Sequence, residues 1–365
     1  WAYNGQVPGP ALRVRQGEGL RVVDENGRAE GTTVHWHGRR VPNAQDGVPH
    51  LTQAPVPPGG RYVYEFDCPD AGTFWYHPHQ RSFEQVGRGL YGPLIVEEPS
   101  PIRVDRDVTW VLDDWRMDKS GQLSDSFGNS HDIAHGGRIG NVVTVNGALL
   151  PAFSLRTGER IRLRLINGAN ARIFALDFAE HAPRIIALDG QPVTPHVPAD
   201  GRIVLGPAMR VDLILDGTGT PGGRYTVRDT FYQGLEYELL DLAYDAEPLR
   251  DKLLSAPIRL PPNPLQEPDL RAAERHQIRF QGGMMGSLMG ARMNGEPVNM
   301  MQMMHSGKAW PLNGVVATGH VHDPVLTLKR GRSYRLELVN DTAWHHPIHF
   351  HGHSFRVLSR NGRPT

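Results

Sequence analysis

Short segments in which apolar and polar residues alternate recur along the whole chain. The clearest is 160–165, with the sequence Arg-Ile-Arg-Leu-Arg-Leu. Alternation with a period of two places the two sets of side chains on opposite faces of a β-strand, one buried and one solvated. Helical periodicity is weak, and 41 Gly and 30 Pro residues supply tight turns. The pattern predicts an all-β protein built from Greek-key barrels or sandwiches.

Three segments share one internal spacing, in which an Asn-Gly pair is followed by a Gly and then, nine residues later, by an Asn. They run from Asn4 to Asn26, from Asn146 to Asn167 and from Asn313 to Asn340. Three equal gaps favour an internal triplication over coincidence among hairpins. The 365 residues also suit two or three domains. We predict domains at 1–99, 100–249 and 276–365, with a proline-rich linker at 250–275.

Histidines occupy equivalent positions of the first and third repeats. Nine residues after the last Asn of each repeat stand His35 and His349, and each begins a His-x-His-Gly sequence completed by His37 and His351. The second repeat has apolar residues at these positions. On a strand, both imidazoles of such a pair project from one face, so they can reach a shared metal ion.

A third pair, His77 and His79, follows an aromatic run in the first domain. With 18 His in the chain, chance alone gives about one His-x-His pair. The prediction of a metal site therefore rests on the equivalent positions of the pairs in the repeat. Imidazole donors without thiolate or carboxylate suit copper, zinc or iron, and pairs in two domains predict a multinuclear site between them. Eight other histidines are interpreted as structural, solvated or polar-loop residues: His131, His181, His196, His276, His320, His322, His345 and His353.

The charge balance and the cysteine count argue against several kinds of partner and of stabilising site. Lys+Arg and Asp+Glu are 39 each, which gives no electrostatic reason to expect nucleic acid or an anionic membrane as partner. No apolar run approaches the roughly 18–20 residues of a spanning helix, so no membrane insertion is expected. The single cysteine, Cys68, excludes an internal disulfide framework and a cysteine-based zinc cluster.

The histidine motifs resemble those of the multicopper oxidases, the family of laccases and periplasmic cuprous oxidases. The matching segments are 35–38 (His-Trp-His-Gly), 75–79 (Trp-Tyr-His-Pro-His) and 346–352 (His-Pro-Ile-His-Phe-His-Gly). The resemblance implies three cupredoxin-like domains, the third incomplete, and up to four copper ions. It also implies that His35 and His349 hold the type-2 copper, that His37, His77, His79 and His351 hold the type-3 pair, and that His346 ligates the type-1 copper.

The activity that the resemblance implies is one-electron oxidation of a substrate at type-1 copper, coupled to four-electron reduction of dioxygen to water at the trinuclear cluster. A periplasmic or otherwise extracytoplasmic location is implied too. Phenols, aromatic amines, Cu(I) and Fe(II) stay open as substrates. A copper-binding family member without oxidase activity and a two-domain-type nitrite reductase are the alternatives.

The family's fourth motif, His-Cys-His, is absent. Cys68 cannot replace it, because it lies in the first domain, nine residues before His77. In the first domain the second histidine pair starts 42 residues after His35, and the same offset from His349 falls beyond Thr365. We therefore expect the remaining ligands on a longer natural chain, without which the type-1 site and the cluster would be incomplete.

Asp46 is a candidate proton donor. It lies nine residues after His37, where the resemblance implies an acidic residue near the type-2 copper. Reduction of dioxygen to water consumes protons, and a site of neutral imidazoles needs an acid nearby. The alternative is an ordinary Asp-Gly turn.

Eight of the ten methionines fall between positions 284 and 304. Thioether sulfur is a soft ligand that favours Cu(I), although methionine also fills irregular apolar segments. A helical core stripe is disfavoured, because a helix here would be weakened by the five glycines at 282, 283, 286, 290 and 295. We therefore favour Cu(I) over phenols as substrate. The candidate residues are Met284, Met285, Met289, Met293, Met300, Met301, Met303 and Met304.

Overall fold

The Asn-Gly pair of each repeat forms the same two-residue hairpin turn in the computed structural model, which describes residues 1–149, 152–318 and 324–365. In all three pairs both residues have positive φ, for example +53° at Asn146 and +76° at Gly147. This is the type I′ turn, whose twist matches that of the flanking strands and which Asn-Gly adopts readily. The repeat therefore marks three equivalent hairpins. His320 and His322 lie outside the described residues.

The first part of the chain forms a four-stranded sheet and a separate two-stranded ladder. The four-stranded sheet has the order β1-β6-β5-β3, and β2 pairs with β4. Trp36, Tyr64 and Phe74 are fully buried in the core between them. The elements are β1 (Leu12–Arg15), β2 (Gly19–Glu25), β3 (His35–His37), a 3₁₀ helix (Asn43–Gln45), β4 (Arg61–Asp67), β5 (Gly72–His77), α1 (Ser82–Gln85) and β6 (Gly92–Glu97).

The middle part packs a six-stranded sheet on a five-stranded sheet around one core. The orders are β13-β12-β15-β10-β7-β8 and β14-β11-β16-β17-β9. The elements are β7 (Arg106–Trp115), α2 (Ser130–Ala134), β8 (Val142–Val145), β9 (Ala152–Leu155), β10 (Arg160–Asn167), β11 (Phe174–Asp177), β12 (Arg184–Leu188), β13 (Gln191–His196), β14 (Ile203–Leu205), β15 (Arg210–Asp216), β16 (Arg224–Asp229) and β17 (Tyr237–Tyr244). A two-layer sandwich of this kind lets each sheet cover the apolar face of the other.

Strand β10 differs from its prediction on one face. Its apolar side chains are buried as expected, but the arginine face, predicted to be solvated, is buried as well. Arg162 donates to both Glu98 and Asp212 at 2.7–3.2 Å, and Arg164 donates to Thr73 of β5 at 2.9 Å. The prediction that this face is solvated was wrong, because the alternation along the strand does not reveal that the first sheet covers it. Buried charges persist there because they are paired.

The described residues of the last part of the chain form three small sheets. β18 pairs with β22 in parallel, β19 joins β20 to β21, and β23 pairs with β24. The elements are β18 (Glu274–Phe280), β19 (Arg292–Met293), β20 (Glu296–Pro297), α3 (Met300–His305), β21 (Val315–Val316), β22 (Tyr334–Asn340), β23 (Ser359–Arg360) and β24 (Arg363–Pro364). No described helix has the length and the apolar character needed to cross a membrane.

Contacts divide the chain into two compact units. The first comprises Trp1–Trp115, Asn141–Pro264 and Ile348–Thr365, and the second comprises Arg116–Gly140 and Leu265–Pro347. With 37% of residues in strands and 5% in helices, the fold is all-β as predicted. The division into three domains at the borders given above stays a prediction.

Replacing Arg162 by Met should lower the free energy of unfolding by about 3–5 kcal/mol, because Glu98 would stay buried without this cation and Asp212 would keep only Arg164. Arg202→Met is the matched control. Arg202 pairs with Asp200, but both side chains are about half exposed, so its loss should cost no more than about 1 kcal/mol. Urea unfolding followed by tryptophan fluorescence measures both. Equal costs for the two substitutions would contradict the burial argument.

Candidate metal centre

Two neighbouring strands bring the first histidines together. β3 pairs antiparallel with β5, and the register sets His35 opposite His77 and His37 opposite Trp75. Because residues two apart on a strand share a face, His35 and His37 point the same way. The ring of His35 lies 5.5 Å from that of His37 and 5.3 Å from that of His77, centroid to centroid. His79 follows the end of β5, with its ring 5.7 Å from His35.

The third-repeat pair completes the group. The Nε2 atoms of His35 and His349 are 3.3 Å apart, and the His349 ring stacks on His37 with centroids 3.7 Å apart. The His351 ring lies 4.1 Å from His35 and 4.9 Å from His79. All six predicted imidazoles therefore meet in the first compact unit. We call His35, His37, His77, His79, His349 and His351 the histidine cluster.

Hydrogen bonds to oxygen fix which ring nitrogen carries the proton in three members of the cluster. Nδ1 of His35 donates to the backbone carbonyl of Asp46 at 2.8 Å, and Nδ1 of His77 to that of Pro78 at 2.9 Å. Nδ1 of His351 donates to the Asp46 carboxylate at 2.8 Å. A carbonyl or a carboxylate only accepts, so each Nδ1 holds the proton and each Nε2 keeps its lone pair. Such anchoring is what orients a metal-binding imidazole.

The donor set fits a transition metal. Within the described residues, His35 groups with His37 and His77, and again with His349 and His351, and in each group the ligand atoms lie within 4.8 Å of one another. Both groups contain only imidazole. Nitrogens that share an ion through bonds of about 2.0–2.1 Å lie at most about 4.2 Å apart, so atoms at this spacing need only a small inward shift to share one. Neutral imidazoles without thiolate or carboxylate suit copper, zinc or iron.

Burial keeps four members of the cluster uncharged. It lowers the pKa of His37 and His77 well below the ordinary histidine value, and the neighbouring histidines lower it further. The same causes lower the pKa of His79 to about 4 and that of His349 to about 2. Desolvation disfavours the imidazolium form, and like charges disfavour it again. These four imidazoles are therefore neutral at neutral pH, and each keeps one nitrogen with a lone pair.

Asp46 sits directly on the cluster, and it is also part of an Asp-Gly turn. Its role as a proton donor stays a prediction. Gly47 has φ +73°, and a Cβ there would meet the Val34 carbonyl oxygen at 1.9 Å, so only glycine lets the turn approach β3 this closely. Burial raises the pKa of the Asp46 carboxyl. Hydrogen bonds from His35 and His351 outweigh that effect and hold the pKa below its ordinary value.

Two further neighbours of the cluster escaped the sequence analysis. The Trp75 ring lies 4.3 Å from that of His77 and covers it, and its place inside the second histidine motif was an available signal. Arg210 of β15 approaches Gly38, where a Cβ would meet its Nη2 at 2.1 Å. Its charge helps lower the pKa of His37. No local pattern marks Arg210, because its role depends on how the two sheets pack.

His346 belongs to the second compact unit. Its Nε2 lies 2.9 Å from the Thr342 hydroxyl, and its ring contacts those of Phe280 and Trp310 at 5.5 and 4.9 Å. Cys68, the single cysteine, is buried in the core of the first sheet, and burial raises the pKa of its thiol. This side chain therefore packs in the core.

The methionines differ in exposure. Met285, Met289 and Met301 are 80%, 84% and 71% exposed, whereas Met303 is fully buried. Contrary to the expectation from the glycines, residues 300–305 form the helix α3, which begins at a capping box of Asn299 and Gln302. The helix forms because the glycines flank this stretch rather than interrupt it, and the capping box satisfies its first N–H groups.

The comparisons with known proteins agree with this geometry. Family models described as multicopper oxidase match residues 1–101, 106–250 and 293–365. The chain is similar to the multicopper oxidase MmcO of Mycobacterium tuberculosis, with 30% identity over 99% of this chain and 73% of that protein. It is also similar to a copper resistance protein A homolog of Pseudomonas syringae pv. tomato, with 26% identity over 99% and 80% of the two chains.

Among solved structures, the multicopper oxidase from Pseudomonas parafulva superposes with a TM-score of 0.83 and 36% identity, covering 100% of this chain and 83% of that one. The cupredoxin-like fold class is thereby confirmed. Together with the three matching family models, these similarities identify the chain as a member of the multicopper oxidase family and as a copper-dependent oxidase.

Proposed function

We propose that the histidine cluster holds the trinuclear copper site and that the protein oxidises Cu(I) while reducing dioxygen to water. The observation that carries the proposal is the convergence of six imidazoles, three of which have their Nδ1 atoms hydrogen-bonded to oxygen acceptors, so that Nε2 faces the cluster. His35 and His349 would hold the type-2 copper, and the other four the type-3 pair. When bound, copper supplies the one-electron redox chemistry that carries electrons from the substrate to dioxygen.

The protein's part at this site is orientation and the exclusion of water. His35 and His37 are 1% and 4% exposed, and Trp75 covers the far side of His77. Rings that are already fixed need no reordering when the metal binds, so the site is preorganised.

We assign Asp46 to ligand orientation and to proton movement. Its carboxylate accepts from His351, and its backbone carbonyl accepts from His35, so one residue positions two ligands. Its Oδ1 atom, 3.3 Å from Nδ1 of His35, is buried. Because its pKa is held low, this carboxylate is ionised at neutral pH, so it would act by accepting a proton and passing it on toward the dioxygen site, which needs protons to form water.

His346 is the proposed type-1 ligand, where electrons enter. Residues 284–304, called here the methionine segment, carry exposed thioethers that belong to the same compact unit as His346. Soft sulfur favours Cu(I). The similarity to a copper resistance protein supports copper as the substrate. Laccase-like oxidation of small phenols is the second candidate, favoured by the aromatic rings of Phe280 and Trp310 beside His346.

The location and the domain borders are proposals of the same kind. An extracytoplasmic, in particular periplasmic, location suits an enzyme that handles copper and resembles a copper resistance protein. Three cupredoxin-like domains at 1–99, 100–249 and 276–365 agree with the three Asn-Gly hairpins of the repeat.

Tightly bound copper should be retained from about pH 7.5 down to about pH 5. Metal binding needs the neutral imidazole, and the pKa values of His79 and His349 are lowered to about 4 and about 2. Protons therefore begin to compete only as the pH approaches 4. Equilibrium dialysis with copper analysis measures the retention. A loss of roughly tenfold in affinity per pH unit, starting near pH 6.5, would contradict the depressed pKa values.

Asp46→Asn should reduce oxygen consumption by about 10²–10⁴-fold, because it removes the proton carrier. Copper content should stay at the parent level, since the amide oxygen can still accept from His351. Asp46→Glu is the conservative variant and should restore part of the activity, with a shifted pH profile that a merely structural role would not produce. An Asn variant with parent turnover would refute the assignment.

Replacing the exposed residues Met284, Met285, Met289 and Met301 by Leu should lower Cu(I) oxidation at least about tenfold, because the soft ligands are lost while apolar bulk is kept. Phenol oxidation should change little. Met303→Leu is the matched control, because its side chain is buried and serves packing. If both activities fall equally, or neither falls, the methionines serve packing and phenol oxidation becomes the better assignment.

A further inference from the structure

Two histidines outside the histidine cluster stand side by side at the short helix α2. His131 lies in the helix, and His135 is the non-helical residue that follows its last turn. Their rings are stacked, with centroids 4.1 Å apart and planes inclined by only 14°. The His131 side chain is 79% exposed. Taken alone, His131 was interpreted as a solvated residue, and its pairing with His135 changes that interpretation.

The pair has the features of a chelating site. Nδ1 of His135 donates to the backbone carbonyl of His131 at 2.8 Å, which leaves the Nε2 lone pair available. The lone pairs of parallel rings lie in the ring planes and run side by side, so one ring must turn before both nitrogens can face one ion at a bond length of roughly 2.0–2.1 Å. The exposed His131 side chain can make that turn about its side-chain torsions. Among divalent first-row metals, Cu(II) binds such nitrogen donors most tightly.

Hydrogen bonds fix the position of α2, which contains His131 and ends next to His135. The Asn129 side chain accepts from the backbone N–H of Asp132 at 2.9 Å and caps the helix. The Asp132 carboxylate accepts two hydrogen bonds from Arg116, at 2.7 and 2.9 Å. This carboxylate is therefore engaged with Arg116, and the two imidazoles stand on a fixed support.

The surroundings connect the pair to the proposed path of substrate copper within the second compact unit. The backbone N–H of Met284 donates to the Ala134 carbonyl at 2.7 Å, and the Trp344 indole donates to the Met284 carbonyl at 3.0 Å. The Trp344 ring lies 5.4 Å from that of His135. The hydroxyl of Thr342 accepts a hydrogen bond from the backbone N–H of Trp344 and lies 2.9 Å from Nε2 of His346.

We propose that His131 and His135 form a surface copper-binding site, separate from the histidine cluster, where copper ions dock beside the methionine segment. That the docked ion is substrate for His346 rests on the proposed function. The binding of copper by the two imidazoles does not.

The test is a Cu(II) titration of protein whose tightly bound copper is already saturated, with bound ion measured by equilibrium dialysis. The parent protein should bind one further Cu(II) per chain. His131→Ala or His135→Ala should each weaken this binding at least about tenfold, because each removes one of two ligands. His196→Ala removes an unrelated exposed histidine and should leave the binding unchanged.

A composition-matched variant separates the pair from the mere number of histidines. Lys119 is exposed, so His135→Ala combined with Lys119→His keeps the histidine count but breaks the pair, and it should bind as weakly as His135→Ala. Absence of a further Cu(II) in the parent protein, or binding that none of these substitutions at the pair weakens, would overturn the proposal. Since no turnover is measured, a failure of Cu(I) as substrate would leave this result intact.

Discussion

The whole site depends on one contact, the approach of Nε2 of His35 to Nε2 of His349 at 3.3 Å across 314 positions of sequence. Nε2 of His35 carries a lone pair, since its Nδ1 proton is donated to the Asp46 carbonyl. Two neutral imidazoles at this distance can bind one metal cation, which accepts a lone pair from each. The β3–β5 register and the Asp46 turn, with Gly47 against the backbone of β3, place the first ring where the second can meet it.

Burial is what makes this contact chemically useful. A charged imidazole would cost free energy in this interior, so the rings stay neutral and keep their lone pairs. The buried sheets around the site carry ions of their own, but those ions are paired. Arg162 is neutralised by Glu98 and Asp212, and Arg210 is hydrogen-bonded to backbone carbonyls and to Asp189. The protein thus keeps its own charges engaged while leaving imidazole nitrogen free for metal.

Much of this arrangement could be predicted from sequence, because it rests on local spacing. The Asn-Gly turns, the strand alternation and the His-x-His pairs are periodic signals, and they led to the all-β fold and to the convergence of the six histidines. Features set by packing between sheets could not be predicted in this way. The buried arginine face of β10 and the approach of Arg210 to Gly38 depend on which surface covers which. The helix α3 and the pair His131 and His135 were missed for another reason: a stretch as short as 300–305 or 130–134 gives little periodicity to detect.

The most direct test of the central claim is anomalous diffraction at the copper absorption edge from crystals of the copper-loaded protein. Lone pairs fixed on Nε2 of His35, His77 and His351 predict anomalous peaks within about 2.0–2.1 Å of these atoms, inside the histidine cluster. Copper located elsewhere on the chain, with no peak among the six imidazoles, would contradict the assignment of this cluster as the oxygen-reducing centre.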